Sequence, residues 1–398
     1  MRDQLDVNRV DDIQLNYLRY KPGMNCLARY ELRVDGQRLQ AYAKSHGHDA
    51  ESKLDKAIDR PVIDSTLGPG RVVLTDDRVV FSTFPNDAKL PSLQRLGEAA
   101  YRRRLFRRIF DDGSAWQGGE LASVLNYKPE RRYVVRLGRE DGTSALAKFY
   151  TRSGFGKAWK ISRRLGSGDH NEGRYPEIIG FSRKHAVIAY RWWPGDSLRE
   201  LDIDGRLSMS DVAETARTLA ELHASGPAGL LAPDLSQQAE RLTSLGRQVG
   251  FLLPHLQPGA ERVTRVLIEW LTGQAPVNRP VHGDFYDKQV IVDSGNVRLI
   301  DLDGARLDNP LADLGSYLAH LERHAVNSGK PDSESELHRQ TLVSAYEQSA
   351  GPVSNTDLNK YTALGLFGLI HHPFRDWAEN WPAQTELLLE RVETLLSS

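Results

Sequence analysis

Two stretches of this chain, about 107 residues apart, are written in the same order of strand, turn and lysine. Residues 20–44 read YKPGMNCLARYELRVDGQRLQAYAK, and residues 127–148 read YKPERRYVVRLGREDGTSALAK. Each opens on Tyr-Lys-Pro, runs through a strand, turns at Asp-Gly (Asp35-Gly36, Asp141-Gly142) and ends on Ala-Lys. Asp-Gly between apolar runs is a strong hairpin signal, because its residues tolerate positive φ. Downstream, RVVFSTFPND (78–87) matches HAVIAYRWWPGD (185–196) as an apolar run closing on Pro-X-Asp. One shared tripeptide arises by chance, whereas an ordered series points to duplication. Residues 1–92 are therefore read as a diverged copy of the β-rich unit at 116–195.

Between the copies, 93–115 reads as a linker helix. Leu93, Leu96, Ala100, Phe106, Ile109 and Phe110 recur at roughly helical spacing, and Arg102, Arg103, Arg104, Arg107 and Arg108 fill the other faces. That arginine run is either a strip for phosphate or an acidic partner, or a solvated helix face, and isolated charge runs are usually the latter. After Pro194 the pattern turns helical. SMSDVAETARTLAELHA (208–224) has a Ser cap and an apolar stripe at Val212, Ala216, Leu219, Ala220 and His223. Further helices are expected at 235–252, 260–273, 310–325, 334–349, 356–371 and 383–396. The plan is α+β: a β-rich part followed by a helical part at 196–398, with the cleft between them as the natural ligand site.

Composition narrows the functions. With 398 residues and 40% hydrophobic content the chain can bury a sizeable core, and a formal net charge of −1 gives no general attraction to nucleic acid or an anionic membrane. Cys26 is the lone cysteine, which rules out an internal disulfide framework and a multi-cysteine metal site. The start, MRDQLDVNRVDD, lacks the apolar core of a signal peptide, and no apolar run is long enough to span a bilayer. The expectation is a cytoplasmic protein without nucleic-acid or membrane partners; oligomeric state is not legible.

The chemistry is concentrated in VHGDFYDKQVIVDSGNVRLIDLDGARLDNPLAD (281–313). Val290–Val292 and Val297–Ile300 flank Asp293-Ser-Gly-Asn296 as the arms of a hairpin, which returns Asp301 towards Asp284. A carboxylate beside a substrate hydroxyl, with a second able to hold Mg²⁺ on a nucleotide, is what phosphoryl transfer requires. The other reading is two structural carboxylates capping turns.

HGD with Gln five residues after its Asp, then LIDLDGA, then NPLADL, resembles the aminoglycoside phosphotransferase and choline kinase-like superfamily. LAELH (219–223) and PGDSL (194–198) fit it more weakly, and the likeness covers roughly 116–398. The resemblance implies a bilobal protein-kinase-like fold: a β-rich N-lobe at 116–195, a helical C-lobe at 196–398, and residues 1–92 as an additional cap. It implies ATP and Mg²⁺ as cofactors and a small hydroxyl-bearing acceptor: a sugar, amino sugar or aminoglycoside-like molecule. Asp284 would be the catalytic base, Gln289 and Asp301 the metal ligands, and His282 and Asp313 the structural residues of the motif. Gln289 stands where most relatives carry Asn; Gln there is similar to the maltokinase-like sugar kinases, although Tyr286 and Lys288 depart from their motif.

On the nucleotide side the resemblance implies Lys148 for the phosphates and main-chain groups near Tyr190, Arg191 and Trp192 for the adenine edge. Trp192 and Trp193 stack on the base or staple the lobes. Lys44, the counterpart of Lys148, is expected on a solvated strand end. No GxGxxG loop appears; YKPERRYV takes its place, so Lys128 and its neighbouring arginines either contact phosphate or are exposed loop cations. The residues 152–166 contain no acid, leaving Glu172, or else Glu177, as partner for Lys148. For the acceptor, Asp303, Arg375, Asp376, Trp377 and Glu379 are candidates, and the alternative for 371–383 is a helix-linking loop with its Trp rings in the core. A catalytically silent, kinase-like binding or scaffold protein is the competing function. A protein kinase fits less well, since HGD replaces HRD and no APE follows.

Overall fold

The computed structural model describes residues 5–47, 50–110, 116, 120–139, 141–166, 173–226, 229–328 and 332–398. They form two compact units, one of residues 1–157, 178–192 and 374–379, the other of 158–177, 193–373 and 380–398.

The first unit holds two five-stranded antiparallel sheets. Strands β1 (Val10–Lys21), β2 (Asn25–Val34), β3 (Gln37–His46), β4 (Arg71–Leu74) and β5 (Val79–Thr83) lie in the order β1-β2-β3-β5-β4. Strands β6 (Glu120–Lys128), β7 (Arg132–Gly138), β8 (Ser144–Tyr150), β9 (Ile178–Ser182) and β10 (Val187–Arg191) lie in the order β6-β7-β8-β10-β9. The two orders are the same. The registers correspond as well: Lys44 on β3 lies between Leu27 and Val80, and Lys148 on β8 between Val134 and Ile188. The β2–β3 turn has positive φ at both Asp35 (48°) and Gly36 (75°), as a tight two-residue hairpin demands. Cys26 on β2 is partly buried opposite Ser45, so it projects on the face away from Leu27 and Lys44.

Helix α1 (Glu51–Ile58) buries Leu54 and Ala57 against Val80 of the first sheet. The segment read as a linker forms a short 3-10 turn and helix α2 (Ala99–Ile109), and it supplies core to the second sheet. Leu93, Leu96, Tyr101, Leu105, Phe106, Ile109 and Phe110 are buried with Tyr127, Tyr133, Val135 and Phe149. The expected stripe is buried at Leu93, Leu96, Phe106, Ile109 and Phe110; Ala100 is exposed, and Tyr101 and Leu105 complete the buried side in its place. Arg103, Arg104, Arg107 and Arg108 face solvent, while Arg102 donates to the carbonyls of Leu96 and Gly97 at 2.8 and 2.9 Å.

Lys44 departs from its expected place on a solvated strand end. Its ammonium donates to both oxygens of Glu130, at 2.9 and 2.7 Å, and its side chain is only 14% exposed. Burial lowers the Lys44 pKa; burial would raise that of Glu130, but the hydrogen bond and charge of Lys44, with Lys89 and Arg19, hold it below the usual carboxylate value.

The second unit is helical around two small sheets, β11 (Asp196–Ser197), β13 (Val290–Asp293) and β14 (Asn296–Leu299) in one, and β12 (Arg279–Val281) with β15 (Arg306–Asp308) in the other. Helix α3 (Arg152–Gly166) leads into it, and α4 (Leu198–Ile203) starts on a reciprocal cap: Ser197 Oγ accepts from Glu200 N–H and the Glu200 carboxylate accepts from Ser197 N–H. Helix α5 (Met209–Ala224) buries the predicted stripe, Val212, Ala216, Leu219, Ala220 and His223. Helices α6 (Leu235–Leu252), α7 (Gln257–Thr272), α8 (Leu311–Ser328), α9 (Asp332–Ala350), α10 (Asn355–Leu369), α11 (His372–Arg375) and α12 (Trp381–Ser397) complete the chain. Helices α8 and α10 approach closely at Gly315, where a Cβ would stand 2.5 Å from the Tyr361 backbone. Among the described residues, no helix is long and apolar enough to cross a membrane.

Candidate active site

The motif at 282–284 hangs on one buried carboxylate. Asp313, near the start of α8, accepts from the backbone N–H of His282 at 2.6 Å and of Gly283 at 2.9 Å, and lies 3.0 Å from His223 Nε2. His223 Nδ1 in turn meets the Tyr346 hydroxyl at 2.8 Å. Burial alone would push the Asp313 pKa up; the His223 hydrogen bond and charge, the charge of His282 and the Gly283 N–H together bring it below the ordinary value. His282 Nε2 donates to the Ile300 carbonyl at 2.8 Å, joining this framework to the hairpin strand ahead of Asp301. Gly283 takes φ 80°, and any Cβ there would overlap the Gly304 carbonyl oxygen and the Arg306 guanidinium. Asp284, the next residue, is exposed at its end of this fixed backbone.

The hairpin forms as predicted, with β13 and β14 joined by Ser294 (φ 51°) and Gly295 (φ 81°). Gln289 continues the ladder: its carbonyl accepts from Ile300 N–H at 2.8 Å, so Gln289 stands across from the residue preceding Asp301. Gln289 is buried, on a 3-10 turn (Asp287–Gln289). Asp301 leaves the strand in the left-handed region, φ 59° and ψ 46°, and starts a second 3-10 turn carrying Asp303. A left-handed non-glycine persists only where its surroundings hold it, and such residues gather at functional sites. The backbone pairing thus brings Gln289 and Asp301 to adjacent positions, and an amide carbonyl and a carboxylate are the kinds of oxygen ligand that a hard cation takes along with phosphate and water. Among the described residues, no group of three or more His, Cys, Asp or Glu side chains is placed to hold a metal ion.

Lys148 is buried on β8, its Nζ 5.3 Å from the centre of the Tyr190 ring. Tyr190 is buried, Arg191 exposed, and the Arg136 guanidinium lies 4.6 Å over the Trp192 ring. Trp193 belongs to the second unit, with Arg298 5.6 Å over its ring. Lys128 ends β6, next to a turn closed by Arg131 N–H to the Lys128 carbonyl at 3.0 Å. Glu172 lies outside the described residues, and Glu177 is exposed. Lys128, Lys148, Tyr190, Arg191 and Trp192 thus share the first unit, whereas His282, Asp284, Gln289, Asp301, Asp303 and Asp313 share the second.

The acceptor candidates divide. Asp303 stays with the hairpin, but Arg375, Asp376, Trp377 and Glu379 lie in a segment of the first unit. There Phe374 meets Tyr20 edge-on at 6.3 Å and Arg375 lies 5.9 Å over Tyr17, both on β1. Trp377 is 56% exposed, so the reading of its ring as core is corrected. The second unit instead contains a cavity of about 310 Å³ lined by α4, α8, α9 and the 3-10 turn three residues past Asp284. Its polar lining includes Arg199, Asp202, Asp287, His320, His324 and His338. His324 Nε2 lies 3.4 Å from Asp287, and the His320 ring stacks on Tyr286 at 4.1 Å. Burial drives the His320 pKa down to about 3, so it is neutral at physiological pH. The sequence reading missed this group; its only local trace is the His320/His324 spacing of one helical turn.

A family model described as a phosphotransferase enzyme family matches residues 123–332, more than half of the chain. The chain belongs to the phosphotransferase enzyme family. The resemblance drawn from HGD, LIDLDGA and NPLADL is thus shown, and the matched segment of this phosphotransferase begins inside β6, beyond the first sheet. Its fold is shared with solved structures at low identity. A thermostable mutant of aminoglycoside phosphotransferase APH(4)-Ia has a TM-score of 0.51 at 14% identity, covering 69% of this chain and 93% of that one. The choline kinase of Cryptosporidium parvum Iowa II has 0.52 at 13%, covering 74% and 95%. The amicoumacin kinase hAmiN, in complex with AMP-PNP, Ca²⁺ and Ami, has 0.51 at 16%, covering 69% and 89%. A comparison with curated protein sequences gives no match.

Proposed function

We propose that this phosphotransferase moves the γ-phosphoryl group of ATP, with Mg²⁺, onto a hydroxyl of a small polar acceptor. The observation that carries the reading is the Asp313-anchored backbone presenting exposed Asp284, tied through His282 to the ladder that sets Gln289 beside Asp301. In the reaction the bond between the γ-phosphorus and its bridging oxygen breaks, and a bond from the acceptor oxygen forms. Asp284 orients the hydroxyl and takes its proton. Gln289 and Asp301 would hold the divalent ion, whose charge offsets that of the phosphates. Lys148 binds the phosphates, and Tyr190–Trp192 meet the base. The amicoumacin kinase complex with AMP-PNP and Ca²⁺ supports a nucleotide and a divalent cation. Asp284→Ala should lower turnover by at least about 100-fold with ATP binding retained; an active variant would refute the assignment.

For the acceptor we propose a sugar, amino sugar or aminoglycoside-like molecule. The support is the cavity beside Asp287, whose lining mixes carboxylates and imidazoles with Leu198, Ile203 and Leu321. Such a lining offers hydrogen bonds to hydroxyls and amines and apolar surface to a ring. A panel of sugars, amino sugars and aminoglycosides assayed for ADP release tests it, and Asp287→Asn should raise the acceptor KM without changing that for ATP. The competing reading, a silent kinase-like protein, has Gln289 and the acid-free stretch 152–166 in its favour; it requires no Mg²⁺-dependent ATP binding.

A further inference from the structure

The first sheet repeats the second in strand order and places Lys44 where the second places Lys148. At Lys44 the anion is supplied by the protein itself. Glu130 lies in the β6–β7 turn, which by the resemblance drawn from the sequence takes the place of the glycine-rich phosphate loop. Its carboxylate receives Lys44 at 2.7 and 2.9 Å and Arg19 at 3.4 Å, with Lys89 at 3.8 Å. Three cations converging on one buried carboxylate make an anion site that is already filled.

The same turn is fixed through its backbone. Glu130 has φ 58°, a left-handed conformation without glycine, and its N–H donates to Asp87 Oδ2 at 2.8 Å. Asp87 closes the Pro-X-Asp element of the first copy. It also accepts from the Tyr127 hydroxyl at 3.0 Å and from the N–H groups of Lys89 and Leu90 at 2.7 and 3.0 Å. The Tyr127 carbonyl takes the Arg29 guanidinium from β2. The turn therefore owes its shape to the first copy at its entry, its main chain and its side chain. A glycine-rich turn would bend to a phosphate by itself; this one is held from outside.

We propose that Glu130, gripped by Lys44 and Arg19, is a positioning residue that sets the β6–β7 turn for the nucleotide phosphates, and that the first sheet, its lysine so engaged, binds no nucleotide of its own. The proposal rests on the kinase reading above. It is tested by calorimetric titration of the full-length protein with ATP and Mg²⁺, paired with steady-state kinetics. Wild type should bind one nucleotide per chain, and Lys148→Met should abolish binding. Glu130→Gln and Lys44→Met should each weaken ATP by about tenfold, raising its KM with kcat little changed. Lys44→Arg should restore most of the affinity, and the double variant should be no worse than the poorer single one. Glu130→Gly removes the carboxylate while easing the positive φ, so it remains informative where the other substitutions unfold the protein. Wild-type ATP affinity in folded Glu130→Gln or Glu130→Gly overturns the positioning role alone. Two nucleotides per wild-type chain overturn the engaged-lysine claim. A wild-type protein that binds no ATP overturns this proposal and the kinase reading together.

Discussion

The Asp313 carboxylate takes two backbone N–H groups and a histidine, and it has no exposure to exchange them for water. Its folded pKa lies below the value of about 3.9 for an unfolded aspartate. The stability it contributes is therefore complete above that pH and is lost as pH falls through the lowered folded value. Asp313→Asn should cost about 3 kcal/mol at neutral pH, and the gap in melting temperature from wild type should close below about pH 4. Calorimetric melting from neutral to acid pH measures this; a gap that widens towards acid is the contrary result. Gly283→Ala should cost about 2 kcal/mol or more through a left-handed backbone and two overlaps, read as a lower urea midpoint. At this scale the motif was legible, because HGD and the Asp of NPLADL carry their chemistry in their spelling. His223, Tyr346 and Glu130 were not legible as partners of Asp313, His223 and Lys44, since nothing in local spacing encodes a contact made across the fold.

Elements were legible where periodicity is long. The helices at 208–224, 235–252 and 310–325 were readable because a buried stripe recurs over several turns, and the hairpin at 290–299 because positive φ is needed at its turn. Short elements were not: α1 and α4 have too few turns to show a period, although Ser197 and Glu200 spell a cap. The stripe of 93–110 was legible except at Ala100, which faces solvent while Tyr101 and Leu105 join the buried residues on that side. Close crossing of α8 on α10 gives a prediction at this scale. Gly315→Ala places a methyl group 2.5 Å from the Tyr361 backbone and should cost about 1–3 kcal/mol, seen as a lower melting temperature with secondary structure retained. A neutral substitution would mean that the helices separate without loss.

Over the whole molecule, the duplication was the most useful guide, since it foretold a second sheet before any pairing was known. Residues 1–92 and the sheet strands of 116–195, read as separate domains, fall in one compact unit, whereas 158–177 fall in the other; residues 374–379 join the first from far along the chain. That last association could not be read, because Phe374 and Arg375 find Tyr20 and Tyr17 through tertiary contact alone. Removing residues 1–92 deletes Arg19, Lys44 and Asp87 and leaves Glu130 without its ion pairs. A chain starting at residue 93 should therefore aggregate or bind ATP weakly, judged by size-exclusion chromatography and titration; a monodisperse product with full affinity would contradict this. The lone thiol has a practical consequence of its own. Cys26 sits on the strand beside Lys44's but faces the other way, and burial raises its pKa, so a maleimide would label it slowly and at one place. A fluorophore there would report on the first sheet as nucleotide is added, without touching the lysine beneath it.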